Sequence, residues 1–309
     1  MASLAAPMVD LTLPRALSPR IPSLAVRVSA NTGGSRRARK SIIPGFGLTM
    51  GFTVAWLSLI VLIPISLNFV RSAGMGWDAF AEVAFSPRAV AAYKVSFGTA
   101  LAAACINGVF GLLIAWVFTR YTFPGKRLFD ALIDLPFALP TAVAGIALTA
   151  IYASNGWVGQ YLVPLGIEVA YNPVGITIAL IFIGLPFIVR SVEPVLADLS
   201  VEVEEAALSL GARPWQVFAR VIFPAIMPAL LTGFALALAR GVGEYGSVIF
   251  IAGNMPFKSE IAPLLIVTQL EQYNVDGATA IALVMLAISF SMLLFINVVQ
   301  AWSRHRMAA

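Results

Sequence analysis

Apolar residues in this chain fall into long runs separated by short polar segments. Several of these runs reach the roughly 20 residues that a helix needs to cross a bilayer. We therefore predict six membrane spans, at about Phe46–Phe69, Val95–Phe118, Ala131–Tyr152, Val174–Val189, Ile226–Ala252 and Ala278–Ala301. Pro136 and Pro140 should kink or break the third span, which membrane helices tolerate where neighbours satisfy the freed carbonyls.

The segment from Ser200 to Pro224 has a different pattern, because it is amphipathic and charged. Ser200 can cap a helix, whose dipole favours carboxylates in its first turns. Three glutamates stand there: Glu202, Glu204 and Glu205. Gly211 is expected to end this helix with a positive φ, and Pro214 suits the first turn of a second one.

Trp215, Phe218 and Ile222 give the second helix an apolar stripe. A helix, a sharp turn and a helix between two spans would suit docking of another protein. The alternative is an interfacial helix lying on the membrane surface. Three glutamates close to an anionic leaflet argue against that alternative.

Composition supports an integral membrane protein, with 60% hydrophobic and 11% charged residues, where soluble domains have about 25% charged residues. The net charge of +5 would suit nucleic acid, but the basic residues lie at the ends of the spans, so we expect no nucleic-acid partner. The single cysteine, Cys105, and the single histidine, His305, exclude an internal disulfide and His-clustered metal sites.

The basic residues also predict orientation. Twelve of them fall on one side of the predicted spans: Arg36, Arg37, Arg39, Lys40, Arg120, Lys126, Arg127, Arg190, Arg213, Arg220, Arg304 and Arg306. By the positive-inside rule, both termini and the loop 191–226 are cytoplasmic.

The first 41 residues are rich in Ala, Ser, Pro and Arg. We interpret residues 1–41 as a disordered cytoplasmic tail, with an organelle transit peptide as the alternative. Residues 42–309 then form the transmembrane domain, with its core at about 91–302.

Charged residues inside or beside a span are functional candidates by default. Arg240 could offer positive potential to an anion on a pathway, or Arg240 and Glu244 could neutralise each other at i,i+4 spacing and hold the helix bundle. Asp134 could line the pathway or cap a helix. The sequence favours the packing role for Arg240 and a helix cap for Asp134.

The sequence contains no phosphate loop of the G-x-x-x-x-G-K-[ST] type and no catalytic constellation. We therefore expect neither an enzyme nor an ATPase site on this chain, and any energy from ATP would have to come through a partner. A secondary transporter driven by ion gradients is one class to consider, but such proteins show paired broken helices in repeated halves.

Residues 205–224, EAALSLGARPWQVFARVIFP, resemble the EAA loop of permease subunits of ABC importers. That pattern is E-A-A, three residues, G, nine residues, then I-x-L-P. The matching positions are Glu205, Ala206, Ala207, Gly211 and Pro224. Val221 and Phe223 depart from the pattern but keep its bulk and apolarity.

The runs at 120–128, 132–148 and 240–254 resemble the T-type permease subunit of sulfate/thiosulfate importers. Molybdate permeases share a similar third span and are the alternative. The resemblance implies an all-α membrane protein with six transmembrane helices, of the type I ABC importer (MetI-like) fold, with a cytoplasmic coupling helix.

The resemblance also implies partners. These are a dimer of ATPase subunits that binds ATP and Mg, a second permease subunit of W type, an external sulfate-binding protein and the lipid of a bacterial inner membrane, or of a plastid envelope as the alternative. No cofactor is expected on this chain itself. The EAA loop would fit a groove of the ATPase, with Trp215 and Phe218 as apolar contacts.

Overall fold

The structure is a computed structural model that describes residues 46–307, where the regular elements are helices. The tail predicted at residues 1–41 lies outside the described residues. The chain divides into two compact units between Ala55 and Trp56. In the first unit the described residues, 46–55, are helical, and the packing described below lies within the second.

Fifteen α-helices follow one another along the described chain. They are α1 (Phe46–Leu57), α2 (Ile63–Gly74), α3 (Trp77–Ala84), α4 (Pro87–Arg120), α5 (Lys126–Ile133), α6 (Leu135–Ala138), α7 (Thr141–Tyr152), α8 (Gly159–Leu162), α9 (Pro173–Asp198), α10 (Val201–Ser209), α11 (Pro214–Val217), α12 (Phe223–Val242), α13 (Val248–Ala252), α14 (Ala262–Glu271) and α15 (Val275–Met307). A 3₁₀ turn follows α8 at Val163–Leu165.

Five helical stretches among the described residues are long and apolar enough to cross a membrane. They are Phe46–Gly74, Pro87–Arg120, Pro173–Asp198, Pro214–Val242 and Val275–Ala301. These stretches correspond to five of the six predicted spans. Most extend beyond the predicted bounds, because hydropathy marks the apolar part of a helix and not its caps. At the start of α4, for example, Ser86 Oγ accepts a hydrogen bond from Ala89 N at 3.3 Å.

The third predicted span is divided into α5, α6 and α7. The backbone is extended at Leu139, with ψ of 138°, because a residue that precedes a proline is pushed out of the helical region. The 12 residues of α7 rise only ~18 Å, short of the ~30 Å hydrocarbon core. The predicted proline break is therefore confirmed, and the helix that follows it is too short to cross the membrane alone.

Two π turns interrupt long helices, one at Ser58–Leu62 and one at Phe218–Ile222. A proline stands two residues beyond the end of each turn, Pro64 and Pro224 respectively. A proline ring clashes with the carbonyl four residues earlier, and local π adjustment relieves that clash. The fifth span therefore starts at Pro214 and not near Ile226 as predicted, since α11, the π turn and α12 form one helix.

The core of the second unit is the packing of α4, α9 and α12. Small residues let the helix backbones approach closely, as is usual in membranes. A Cβ atom added to Gly111 of α4 would lie 2.6 Å from Ile188 Cγ2 of α9, and one added to Gly233 of α12 would lie 2.9 Å from Ile188 Cα. Ile188 is itself completely buried.

The segment between α13 and α14 is tied to the start of α4. Arg88 makes two hydrogen bonds to Glu260, from Nε at 2.8 Å and from Nη2 at 2.7 Å. About two turns further along α4, Ser96 Oγ accepts a hydrogen bond from Ala262 N at 2.8 Å. Glu260 is almost fully buried while Arg88 remains partly exposed.

Candidate functional site

The segment 200–224, here called the elbow, begins with a capped helix. Ser200 Oγ accepts a hydrogen bond from Glu202 N at 3.2 Å, as the sequence predicted. Gly211 has a φ of +85°, which L-residues with a side chain rarely adopt. Ala212 N then donates to Ala207 O at 3.1 Å, and this closes the helix end.

The second arm of the elbow starts at Pro214, also as predicted. Gln216 Oε1 accepts a hydrogen bond from Arg213 N at 2.8 Å, and this satisfies a backbone donor at the helix start. The arm continues through the π turn into α12, so Pro224 lies in the first turn of α12 and not in a loop.

The elbow has one face turned into the protein and one turned away. Val217 and Ile222 are buried beside Phe118 of α4 and Leu196 of α9, with Ala207, Ala212 and Phe218 partly buried in the same cluster. On the other face Leu210 is 90% exposed and Trp215 is 73% exposed. Glu205 and Ala206 are exposed as well. Exposed apolar residues and an exposed carboxylate on one short segment suit protein docking.

The sequence did not predict an ion pair between Glu204 of the elbow and Arg120. Glu204 forms an ion pair with Arg120 at the end of α4. Both side chains are mostly buried, although Glu204 and Glu205 are neighbours. The periodicity of α10 was the signal that could have placed Glu204 on the inner face with Ala207.

Arg240 and Glu244 form an ion pair at the break between α12 and α13. Glu244 Oε1 also accepts hydrogen bonds from Ser247, from N at 3.0 Å and from Oγ at 3.1 Å. Glu244 is buried, whereas the Arg240 side chain is 38% exposed. These contacts neutralise the buried carboxylate and hold the non-helical turn, and they support the packing role for this pair.

Asp134 lies between α5 and α6, and its carboxylate contacts Arg190 of α9. Arg190 donates to it from Nε at 2.9 Å and from Nη2 at 2.7 Å. The same guanidinium contacts Asp130 at 2.7 Å and Glu193 at 2.9 Å. Asp134 makes no side-chain hydrogen bond as a cap of α6. A cross-helix ion pair is thus observed in place of a helix cap.

Metal chemistry has little support in the part of the chain that the structure describes. No group of three or more His, Cys, Asp or Glu side chains there could hold a metal ion. The acidic residues around Arg190 point their oxygens at the guanidinium, which already supplies the positive charge.

Comparison with protein families assigns residues 107–309 to the family described as the binding-protein-dependent transport system inner membrane component. The chain belongs to this family. Its members are membrane components of transport systems, and this agrees with the resemblance carried by the EAA loop.

Two relatives identify a smaller group within this family. The sulfate transport system permease protein CysT of Synechococcus elongatus is 54% identical over 252 residues, which cover 82% of this chain and 91% of the relative. The protein of the same name from Escherichia coli is 47% identical over 262 residues, or 85% of this chain and 95% of the relative. The chain is thus a member of the CysT family, as the resemblance indicated.

A solved structure has the same fold. A chain of a bacterial ABC transporter involved in the import of the acidic polysaccharide alginate aligns with a TM-score of 0.69. The alignment covers 83% of this chain and 96% of that one, at 16% identity. The chain therefore has the all-helical fold of ABC importer membrane subunits. The exposed elbow is part of this fold.

Proposed function

We propose that this chain is a permease subunit of an ATP-driven sulfate importer. The observation that carries the proposal is the 54% identity to a sulfate transport permease over 82% of this chain. Thiosulfate is a second anion of the same charge and similar size, and a molybdate permease is the alternative assignment. In each case the subunit forms part of the pathway and takes its energy from a separate ATPase.

The fold is proposed to be the six-span, type I arrangement of the MetI-like permeases. Five spans are the long apolar helices, and α5, α6 and α7 would together make the third crossing. Residues 42–309 form this domain, with the core at about 91–302 and the coupling loop at 191–226. The basic residues at the ends of the spans support a cytoplasmic location for both termini and the elbow.

The outer face of the elbow is the proposed docking surface for the ATPase dimer, which would bind ATP and Mg. The exposure of Leu210 and Trp215 supports this role, because large apolar residues outside the membrane mark interaction sites. Glu205 is exposed on the same helix as Leu208 and Ser209 and would pair with a basic group of the ATPase. The exposed Ala206 would permit close approach of the ATPase, whereas Ala207 packs on the inner face and permits close approach of the elbow to the bundle. Gly211 sets the angle between the arms.

Closure of the ATPase pair would switch the permeases between inward-facing and outward-facing states, as in other coupled two-state changes. The second permease would be a homologous W-type subunit, and an external binding protein would deliver the anion. A bacterial inner membrane is the proposed location, with a plastid envelope as the alternative if residues 1–41 act as a targeting segment.

Uptake of radiolabelled sulfate in a strain that lacks this chain would test the proposal. Restoring the chain should restore uptake that competing sulfate inhibits more strongly than molybdate or tungstate. Uptake should stop when ATP is depleted while the ion gradient is maintained. Uptake that persists without ATP and collapses with the gradient would instead support a secondary transporter.

The docking role is tested by Glu205→Lys, with Asp198→Lys at the exposed end of α9, outside the elbow, as the matched control. The Glu205 variant should insert normally but copurify with much less ATPase, while the Asp198 variant should behave like the unmodified chain. Equal ATPase recovery with both variants would refute this docking surface.

A further inference from the structure

The two adjacent glutamates of the elbow serve different surfaces. Glu205 is exposed, whereas the Glu204 side chain is 19% exposed and paired with Arg120, whose side chain is 17% exposed. The two partners are 84 residues apart in the chain. This ion pair therefore ties the first arm of the elbow to the last residue of α4.

Arg120 is held in place from a second direction. Its guanidinium carbon lies 5.7 Å from the centroid of the Trp116 ring, within the distance of a cation–π contact. Trp116 is one turn earlier on α4. The side chain of Arg120 therefore bridges from an aromatic ring of its own helix to the carboxylate of the elbow.

The second arm of the elbow contacts the same turn of α4. Phe218 meets Trp116 edge to face, with ring centroids 5.8 Å apart. Trp215 stacks on Phe218 at 5.6 Å, and its other side is exposed on the proposed docking surface. A continuous path of contacts thus runs from an exposed residue of the elbow to the core of the bundle.

We propose that Arg120 and Trp116 are positioning residues that transmit the movement of the elbow to α4. This inference rests on the proposed function, since it assumes that an ATPase moves the elbow. The 34 residues of α4 span about 50 Å, and the helix packs along α9 and α12. A force applied at its Arg120 end is therefore delivered across the whole membrane thickness.

The Arg120–Glu204 pair should affect the link to α4 but not ATPase docking, because the pair is mostly buried. Removing one partner leaves the other charge buried without compensation, whereas exchanging the two charges keeps the pair. In a variant that lacks one partner, the elbow would be free to follow the ATPase without moving α4. Docking depends on the opposite face and should be preserved.

The test compares sulfate transported per ATP hydrolysed in proteoliposomes that contain the whole assembly, with the external binding protein and radiolabelled sulfate. Arg120→Glu and Glu204→Arg should each lower this ratio about tenfold, within the range usual for coupling between two sites. The amount of copurified ATPase should stay constant. The double exchange should recover the ratio to within about twofold, as expected for a direct pair in a double-mutant cycle.

Three further variants test the interpretation. Asp198→Arg makes the same charge change at the exposed end of α9, outside the elbow, and should leave the ratio unchanged. If the charge-reversed chains fail to insert, Arg120→Gln and Glu204→Gln are measured in the same way, again with an expected loss of coupling.

An unchanged ratio in the single variants, or a double exchange no better than the worse single variant, would overturn the inference. A different failure would concern the proposed function. If the unmodified assembly transported no sulfate, or if no ATPase copurified with it, the proposed function itself would be wrong. That result would not depend on any variant.

Discussion

A Cβ atom added to Gly145 of α7 would collide with the backbone carbonyl of Ser247. The second half of the divided third span therefore lies in backbone contact with the break between α12 and α13. A Cβ atom on Gly246 would likewise meet Thr141, at the start of α7. The two interrupted helices thus support each other at their interruptions, and glycine is required on both sides of the contact.

The Gly145 contact predicts that Gly145→Ala is damaging. The added methyl group meets backbone atoms, which cannot move aside as a flexible side chain would. Overpacking of this kind costs about 1–3 kcal/mol. The melting temperature of the purified assembly should fall, and sulfate uptake should fall with it.

The control is Gly98→Ala in α4, where a Cβ atom would meet nothing within 4 Å. This variant should be neutral or slightly stabilising, since alanine is the better helix former. Equal melting temperatures for the two variants would contradict the close contact at Ser247.

The ion pair at the break of the fifth span predicts different stabilities for two variants. Arg240→Gln leaves the buried Glu244 carboxylate with Ser247 alone and should destabilise the assembly by up to about 3 kcal/mol. Combining it with Glu244→Gln removes the uncompensated charge and should recover most of the stability and of the sulfate uptake.

Near-normal uptake by the doubly neutral variant would show that Arg240 acts through packing. If Arg240 instead attracted the anion, both variants that lack it would show a raised KM for sulfate delivered by the binding protein. Stability and KM are therefore measured on the same preparations.

The cluster at Arg190 predicts strong dependence on a single guanidinium. Arg190→Gln would leave Asp130, Asp134 and Glu193 facing one another without a cation, and like charges at such distances repel. The melting temperature should fall, and addition of Asp134→Asn should recover part of the loss. Arg127→Gln, at an exposed position nearby, is the control. A normal melting temperature for Arg190→Gln would show that the three carboxylates are separated well enough by solvent.

Local features of this fold could be predicted from the sequence. The cap at Ser200, the positive φ of Gly211 and the break before Pro140 depend on one residue and its immediate neighbours. The Arg240–Glu244 pair could also be predicted, because i,i+4 spacing on one helix brings two side chains together whatever the helix packs against.

Pairs that depend on packing could not be found in this way. Glu204 and Arg120 are 84 residues apart, and Asp134 and Arg190 are 56 apart. Each carboxylate has several basic residues on the same predicted side of the membrane with which it could pair. The choice among them is made by the approach of α4, α9 and the elbow, and this is set by small residues such as Gly111 that carry no charge pattern.

The pair formed by Arg88 and Glu260 gives a last prediction, away from the elbow. The Glu260 side chain is 1% exposed and receives two hydrogen bonds from one guanidinium. Lysine is a point donor and cannot reproduce this bidentate geometry. Arg88→Lys should therefore destabilise the assembly measurably, and Arg88→Gln should destabilise it more, by up to about 3 kcal/mol, because a buried carboxylate is left unpaired.

The melting temperature of the assembly tests this order of stability among the Arg88 variants, with Arg71→Gln at an exposed position as the control. Arg88→Gln combined with Glu260→Gln should be more stable than Arg88→Gln alone, since two neutral side chains leave no charge buried. The segment that carries Glu260 leads into α14 on the side of the bundle opposite the elbow. Loss of this pair should therefore reduce transport without reducing ATPase recovery. Equal stability of Arg88→Lys and the unmodified chain would show that the bidentate contact contributes little.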